Sequence, residues 1–177
     1  MDLFYRQGYA ESGIKQILQV SGVARASFYD HFASKADLAL FYLQSQSDLY
    51  RERTRRLMAH HPHPLDYVEV QVRLLRRAIR TPRFFGCALA NFAALPQEER
   101  LKKQTQNITK EWCSLYADYF ESARKNGILR PGTDPWELAV QFKTIYEGSL
   151  ILWRMSGQED PIIHSRQLYR TLLHAHL

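Results

Sequence analysis

The chain has 177 residues, of which 45% are hydrophobic and 24% charged, and its formal net charge is +6 at pH 7. That length allows one or two domains with a real core, and no apolar run approaches the ~20 residues that a membrane span requires. Two cysteines, Cys87 and Cys113, are too few for a disulfide framework, so a reducing cytoplasm is the expected compartment.

The first stretch, MDLFYRQGY, lacks the basic start and sustained apolar core of a signal peptide. Leu3, Phe4 and Tyr5 fit the end of a helix of about two turns that closes at Gly8. Ser12 then stands ahead of Ile14, Ile17 and Leu18, an apolar set at helical spacing, and is the expected N-cap. Ser21-Gly22-Val23 breaks the pattern, with Gly22 suited to the left-handed conformation of a tight turn. A second short helix is predicted from about Arg25 to His31, with Phe28 and Phe32 facing inward. Helix, glycine-containing turn, helix is the form of a helix-turn-helix, whose second helix enters the major groove of DNA.

Gly8-Tyr9, Ile14, Ile17, Gly22-Val23, Phe28-Tyr29, His31-Phe32, Ser34-Lys35 and Leu38 resemble the N-terminal domain of tetracycline-repressor (TetR) family regulators. The specific part is GV-x-x-x-S-F-Y-x-H-F-x-S-K in unbroken register. The resemblance implies a DNA-binding domain over residues 1–35 and an effector-binding and dimerisation domain over 36–177. It also implies a double-stranded DNA operator as partner. On that reading Ser12 caps its helix and leaves backbone N–H groups facing a phosphate, and Lys15 adds a phosphate contact. Arg25, Ala26 and Ser27 form the leading edge that reads bases, Arg25 in bidentate fashion on guanine. Tyr29 and His31 match positions that touch the DNA backbone in the family, and Lys35 is a further phosphate contact. Three features depart from the family pattern. Ala24 stands where a capping Ser or Thr is common, Leu18 replaces a small residue, and the first helix is short. In the family that helix begins well upstream, so either the chain starts inside it or a shortened helix supports the reading head.

The charge is unevenly placed. Residues 1–50 hold four Lys/Arg and five acids, net −1, whereas residues 51–100 hold ten Lys/Arg and five acids, net +5. The basic excess lies beyond the reading head, so the motif, not the bulk charge, carries the DNA inference.

Beyond Lys35 the period stays helical, with Pro62, Pro64, Pro82, Pro96, Pro131, Pro135 and Pro161 at the breaks. Helices are predicted over 36–60, 65–81, 86–95, 97–126, 135–156 and 162–176. No strand-like alternation, internal repeat or low-complexity linker competes with them, so the fold class is all-α. In the helix 36–60, Asp37 sits in the first turn and Glu52 and Arg56 can pair at i,i+4. The family uses this helix to relay ligand state to the reading head. His60, His61 and His63 are split by Pro62 and have no acid or cysteine beside them, so a surface turn is expected and no metal. The segment 65–81 sets Tyr67, Val70, Leu74, Leu75 and Ile79 against Arg73, Arg76, Arg77 and Arg80. Solvation of the arginine face is expected, with an acidic ligand as the alternative.

In RFFGCALANFAALP, Gly86-Cys87 followed by Asn91-Phe92 resembles a TetR subgroup in which a Gly-Cys pair opens the sixth helix. A thiol in the first turn of a helix meets the positive end of the macrodipole, which favours the thiolate, and Arg83 would add to this. Cys87 is thus a candidate sensor of electrophiles or oxidants; a small buried residue serving close packing is the other reading. Cys113, beside Trp112 inside a long helix, is expected in the core. The helix 97–126 carries an apolar stripe from Ile108 to Ala123, with Gly127 as its C′ residue. Asp134-Pro135 supplies a cap and an N1 proline for the next helix. Tyr67, Trp112, Tyr116 and Tyr146, together with Cys87, are the candidate effector-binding residues, because Tyr and Trp bring polar tips to an apolar cavity.

Residues 136–155 are apolar on nearly every side past Gln141, more than a helix needs for its own core, and Gly148-Ser149 permits close helix approach. With 162–176 they are expected to form a four-helix bundle across a two-fold axis, as the family does. Two reading heads would then meet a palindromic operator. No nucleophile–base pair, paired carboxylates or phosphate-binding glycine loop is present, so neither an enzyme nor a cofactor is expected. The sequence thus reads as a homodimeric, ligand- or redox-responsive transcriptional regulator, a repressor. The alternative is a helical small-molecule-binding or interaction protein without DNA binding, to which the short first helix and the acidic balance of residues 1–50 point.

Overall fold

The computed structural model describes residues 2–93 and 98–177. Among the described residues every regular element is an α-helix, as expected. In chain order they are α1 (Asp2–Gln7), α2 (Ile14–Ser21), α3 (Arg25–His31), α4 (Lys35–His60), α5 (Pro64–Ile79), α6 (Ala88–Ala93), α7 (Glu99–Lys125), α8 (Pro135–Ser156) and α9 (Asp160–His174). The far end of the predicted helix 86–95, the break at Pro96 and the predicted start at Gln97 lie outside the described residues.

Local chemistry sets most of the boundaries. Gly22 has φ +69 and donates its N–H to the Leu18 carbonyl at 3.0 Å, closing α2 in the left-handed conformation that glycine adopts freely. Gly127, at φ +71, closes α7 in the same way, with Ile128 N–H donating back to the Ala123 carbonyl at 2.9 Å. Asp134 caps α8: its Oδ1 accepts from Trp136 N–H at 2.8 Å and Glu137 N–H at 3.1 Å, and Pro135 follows where a missing N–H costs nothing. His63 caps α5 by accepting from Leu65 N–H at 3.3 Å.

One cap differs from expectation. Ser12 does not cap α2; Gly13 holds that position, and no side chain caps it. The Ser12 side chain is fully buried, where its hydroxyl must find an acceptor, and it donates to the Gly8 carbonyl at 2.7 Å. The hydroxyl thereby fastens the turn between α1 and α2.

The chain forms two compact units. The first comprises Met1–Leu49 with Cys87–Thr109, and the second Tyr50–Gly86 with Lys110–Leu177. The core of the first is aromatic. Phe4 meets Tyr42 edge-on at 5.5 Å and Phe92 at 6.2 Å, and Tyr9 lies 5.7 Å from Phe92. Such pairs each add roughly 0.5–1.5 kcal/mol to simple burial. This cluster ties α1, α4 and α6 together, so a helix of six residues is held by packing rather than by its own weak propensity.

In the second unit α9 packs against both α5 and α8. Phe142 of α8 is its hub, with ring centroids 4.2 Å from Tyr169, 5.2 Å from Tyr116, 5.5 Å from Phe120 and 6.0 Å from Tyr67. Among the described residues no helix is long and apolar enough to cross a membrane.

Candidate DNA-reading and effector sites

The first site is the outer face of α2 and α3. Phe28 is buried and carries the edge of Tyr29 at 5.1 Å, while Phe32, half-buried, bridges Phe28 and Phe41. This aromatic anchoring turns the start of α3 outward. Arg25, Ala26, Tyr29 and His31 are exposed and Ser27 is half-buried, so all five lie on one short helix. The Arg25 guanidinium stands 5.8 Å from the centre of the Tyr29 ring, a cation–π distance that leaves its donor fork available. Lys15 is exposed on α2.

Lys35, at the first residue of α4, is only half-exposed. Its Nζ donates to the Tyr9 carbonyl at 3.1 Å and lies 4.0 Å over the Tyr9 ring. The ammonium therefore secures the turn before α2 through both the carbonyl and the ring of Tyr9. The Tyr9 hydroxyl donates to Glu98 Oε1 at 2.5 Å. Arg100 pairs with Asp37 at 3.3 Å, and Asp37 also accepts from the Ser34 hydroxyl at 2.7 Å. The Ser34 bond, with Arg100 adding to it, lowers the Asp37 carboxyl below its ordinary range.

The second site is the interior of the second unit. Tyr67 of α5 and Tyr116 of α7 share a hydrogen bond of 2.8 Å between their hydroxyls, and Tyr116 shares another, of 3.0 Å, with Tyr50 of α4. Tyr50 stacks on Trp112 at 4.1 Å. Into this group α8 inserts Lys143, whose Nζ donates to the Tyr50 hydroxyl at 3.4 Å and to Glu147 Oε1 at 2.9 Å. The same ammonium lies 5.0, 4.8 and 4.5 Å from the ring centres of Tyr50, Trp112 and Tyr146. Burial, with the neighbouring Tyr116 hydroxyl adding to it, holds the Tyr50 and Tyr67 phenols well above their ordinary range, so both keep their protons.

The structure thus gathers Tyr67, Trp112, Tyr116 and Tyr146 in one unit, whereas Cys87 belongs to the other. Sequence reasoning passed over Tyr50, Lys143 and Glu147. The signal for Lys143 and Glu147 was a cation inside the apolar run of α8, four residues before an acid, whereas Tyr50 on α4 carried none.

Cys87 does not fall within the first turn of α6 but immediately precedes it. Its carbonyl accepts from Asn91 N–H at 2.9 Å and its Sγ from Ala90 N–H at 3.5 Å. The thiol is buried. Cys113 is buried as expected, and desolvation pushes its thiol up. Each of His60, His61 and His63 serves its turn. His60 Nδ1 meets the Arg56 carbonyl at 2.7 Å, the His61 carbonyl accepts from the Tyr119 hydroxyl at 2.6 Å, and His63 caps α5. Among the described residues no cluster of His, Cys, Asp and Glu could hold a metal. The arginine face of α5 is exposed but partly engaged: Arg80 forms a two-point pair with Glu159, at 2.6 and 3.0 Å, and Arg76 approaches the same carboxylate at 3.7 Å. Glu52 and Arg56 pair along α4 as their spacing predicts.

The chain matches the family of bacterial regulatory proteins, tetR family, over residues 1–40, and the tetracyclin repressor-like C-terminal domain over residues 54–169. It is 25% identical over 162 residues to the transcriptional regulator AcuR of Cereibacter sphaeroides, covering 88% of this chain and 73% of that protein. It is also 25% identical over 166 residues to the HTH-type transcriptional regulator LmrA of Bacillus subtilis, covering 92% and 86%. Its fold is similar to that of reduced NemR from E. coli, with a TM-score of 0.87 at 17% identity over 96% of this chain and 90% of that one. The two matches account for both the helix-turn-helix and most of the helical remainder, and the chain belongs to the tetR family of bacterial transcriptional regulators, which bind DNA operators and act as dimers.

Proposed function

We propose that this protein is a homodimeric repressor whose affinity for a palindromic operator is set by a small molecule or by thiol chemistry. The observation that carries the reading is the exposed edge of α3, where Arg25, Ala26, Tyr29 and His31 stand over buried Phe28. Arg25, with Ala26 and Ser27, reads bases. Lys15, Lys35, Tyr29 and His31 hold phosphates, and the backbone behind buried Ser12 presents the start of α2. Residues 1–35 form the DNA-binding domain and residues 36–177 the effector and dimerisation domain.

The dimer uses α8 and α9. Ile151, Leu152 and Met155 of α8 are half or more exposed, as is Leu168 of α9, at 50, 56, 78 and 56%. A Cβ added at Gly148 meets nothing within 4 Å, so the single chain leaves room there for a partner helix. The effector binds among Tyr67, Trp112, Tyr116 and Tyr146. The Gly86-Cys87 pair just ahead of α6 supports a likeness to the subgroup in which a Gly-Cys pair opens the sixth helix, and the Cys87 thiol, whose Sγ accepts from Ala90 N–H, is the redox-sensitive position. Ligand or thiol modification moves α4 and separates the two reading heads from the operator's half-site spacing. The protein works in the cytoplasm as a regulator and not as an enzyme.

The test is anisotropy-detected binding of the purified chain to DNA flanking its own gene, at two salt concentrations with competitor DNA. Tight, competitor-resistant binding to an inverted repeat is expected. Effector binding without DNA affinity would instead establish a helical small-molecule-binding protein, the reading to which the acidic balance of residues 1–50 points.

A further inference from the structure

We propose that the effector is a small organic carboxylate, anchored by Lys143 in place of Glu147. This rests on the interior of the second unit being the effector site and names the chemistry that the site takes. The first observation is a buried ammonium with an internal carboxylate. Lys143 is 7% exposed, and Glu147, one turn along α8, supplies a carboxylate oxygen at 2.9 Å. The Glu147 side chain retains 26% exposure, so it sits at the rim and can turn to solvent. Its other oxygen, Oε2, is buried and has no hydrogen-bond partner among the described residues. The resident carboxylate is therefore poorly satisfied where it stands, and a ligand carboxylate can take its place at the same cation.

The second observation is a surplus of donors. Lys143 has no acceptor capacity, so it can only donate to Tyr50. The hydroxyls of Tyr50, Tyr116 and Tyr67 share two hydrogen bonds among three protons, which leaves one proton without an acceptor among the described residues. The fully buried Tyr169 hydroxyl also has no partner among the described residues. Unmatched donors in a buried site call for an acceptor, and a carboxylate, with two oxygens and about four lone-pair directions, supplies the most acceptors per atom. Rings of Tyr50, Trp112 and Tyr146 around the ammonium would flank an aromatic or short aliphatic tail. An organic cation suits such rings as well, but it would meet the like charge of Lys143 within the same box.

The test titrates the full chain with acetate, benzoate and 3-phenylpropanoate, with the matching amides, and with benzyltrimethylammonium, read by Trp fluorescence and thermal midpoint. At least one acid should bind roughly tenfold or more tightly than its amide, since a charge-assisted pair of about 1.4 kcal/mol gives that factor. Lys143→Met should abolish the preference for acid over amide. Glu147→Gln, which keeps the shape but removes the competing charge, should tighten acid binding and gives an independent test if Lys143→Met does not fold. Equal binding of acid and amide, binding of the cation alone, no binding by any acid, or acid binding unmoved by either substitution would each overturn the proposal. Operator affinity measured on the same preparations separates the two readings. Intact operator binding with no acid preference ends the carboxylate inference alone, and Lys143-dependent acid binding without operator affinity ends the repressor reading alone.

Discussion

The two compact units use aromatic residues in opposite ways. In the first, Phe4, Tyr9, Tyr42 and Phe92 make the core, Phe28, Phe32 and Phe41 anchor α3, and the functional candidates Arg25, Ala26, Tyr29 and His31 lie on the surface. In the second, Tyr50, Trp112 and Tyr146 turn ring faces inward around Lys143, and the Tyr116 and Tyr67 hydroxyls continue the hydrogen bonds from Tyr50. On the proposed function the contrast follows from the partners. A DNA backbone must be met on a convex surface by groups that exchange water and counterions for phosphate. A small molecule must be enclosed, so its recognition groups have to be buried, and buried polar groups must hydrogen-bond one another when the ligand is absent.

Substitutions can break this contrast in graded steps. The largest effect is expected at Phe142, fully buried and in ring contact with four other aromatic residues. Phe142→Ala should cost about 3–5 kcal/mol of stability, the range for large-to-small core changes, read as a lower urea midpoint. A loss under about 1 kcal/mol would mean that the interior of the second unit is not the packed hub described here.

Next comes Arg25→Ala, which should cost specific operator binding about 1–3 kcal/mol with an unchanged circular dichroism spectrum. Lys35→Ala should weaken specific and non-specific binding alike. It should also lower stability slightly, because the ammonium secures the Tyr9 carbonyl. If both variants bound like the parent, the reading head would have to lie elsewhere.

Asp134→Ala removes the acceptor for two backbone N–H groups at the start of α8 and should cost about 1 kcal/mol. Operator and ligand affinity should stay the same, which separates fold from site. The smallest effect belongs to Glu69, which accepts from Arg166 at 2.9 Å and from Arg170 at 3.1 Å, both on α9. The Arg166 hydrogen bond, with Arg170 adding to it, lowers the Glu69 carboxyl below its unfolded value. The contribution is thus fully present above the unfolded pKa and is lost as pH falls through the lower, folded one. Glu69→Gln should therefore be less stable than the parent at neutral pH, by no more than the ~1 kcal/mol of exposed ion pairs, and should match it in acid. A difference that persisted in acid would assign the effect to packing instead of charge.

Much of this was legible in the residues. Gly22, Gly127 and Asp134-Pro135 announce helix ends because each solves a local backbone problem: a left-handed residue, or donors that need an acceptor. Ser12 shows the limit of that logic. Its spacing fits a cap, whose oxygen would accept from a backbone N–H, but burial turned its hydroxyl to donate to the Gly8 carbonyl instead, and the choice between two local partners is decided by packing.

The sequence by itself determined the helical period, the punctuation and the order of side chains on the α3 edge, since these depend on neighbours within a turn or two of the chain. Only the tertiary structure decided that Lys143 stands in a box of Tyr50, Trp112 and Tyr146, with Tyr67 and Tyr116 continuing the hydrogen bonds from Tyr50. Those contacts join residues up to 93 positions apart. Nothing in the period of one helix specifies which face of another will meet it, because that choice is settled by the shape and volume of all the side chains that must close the core together.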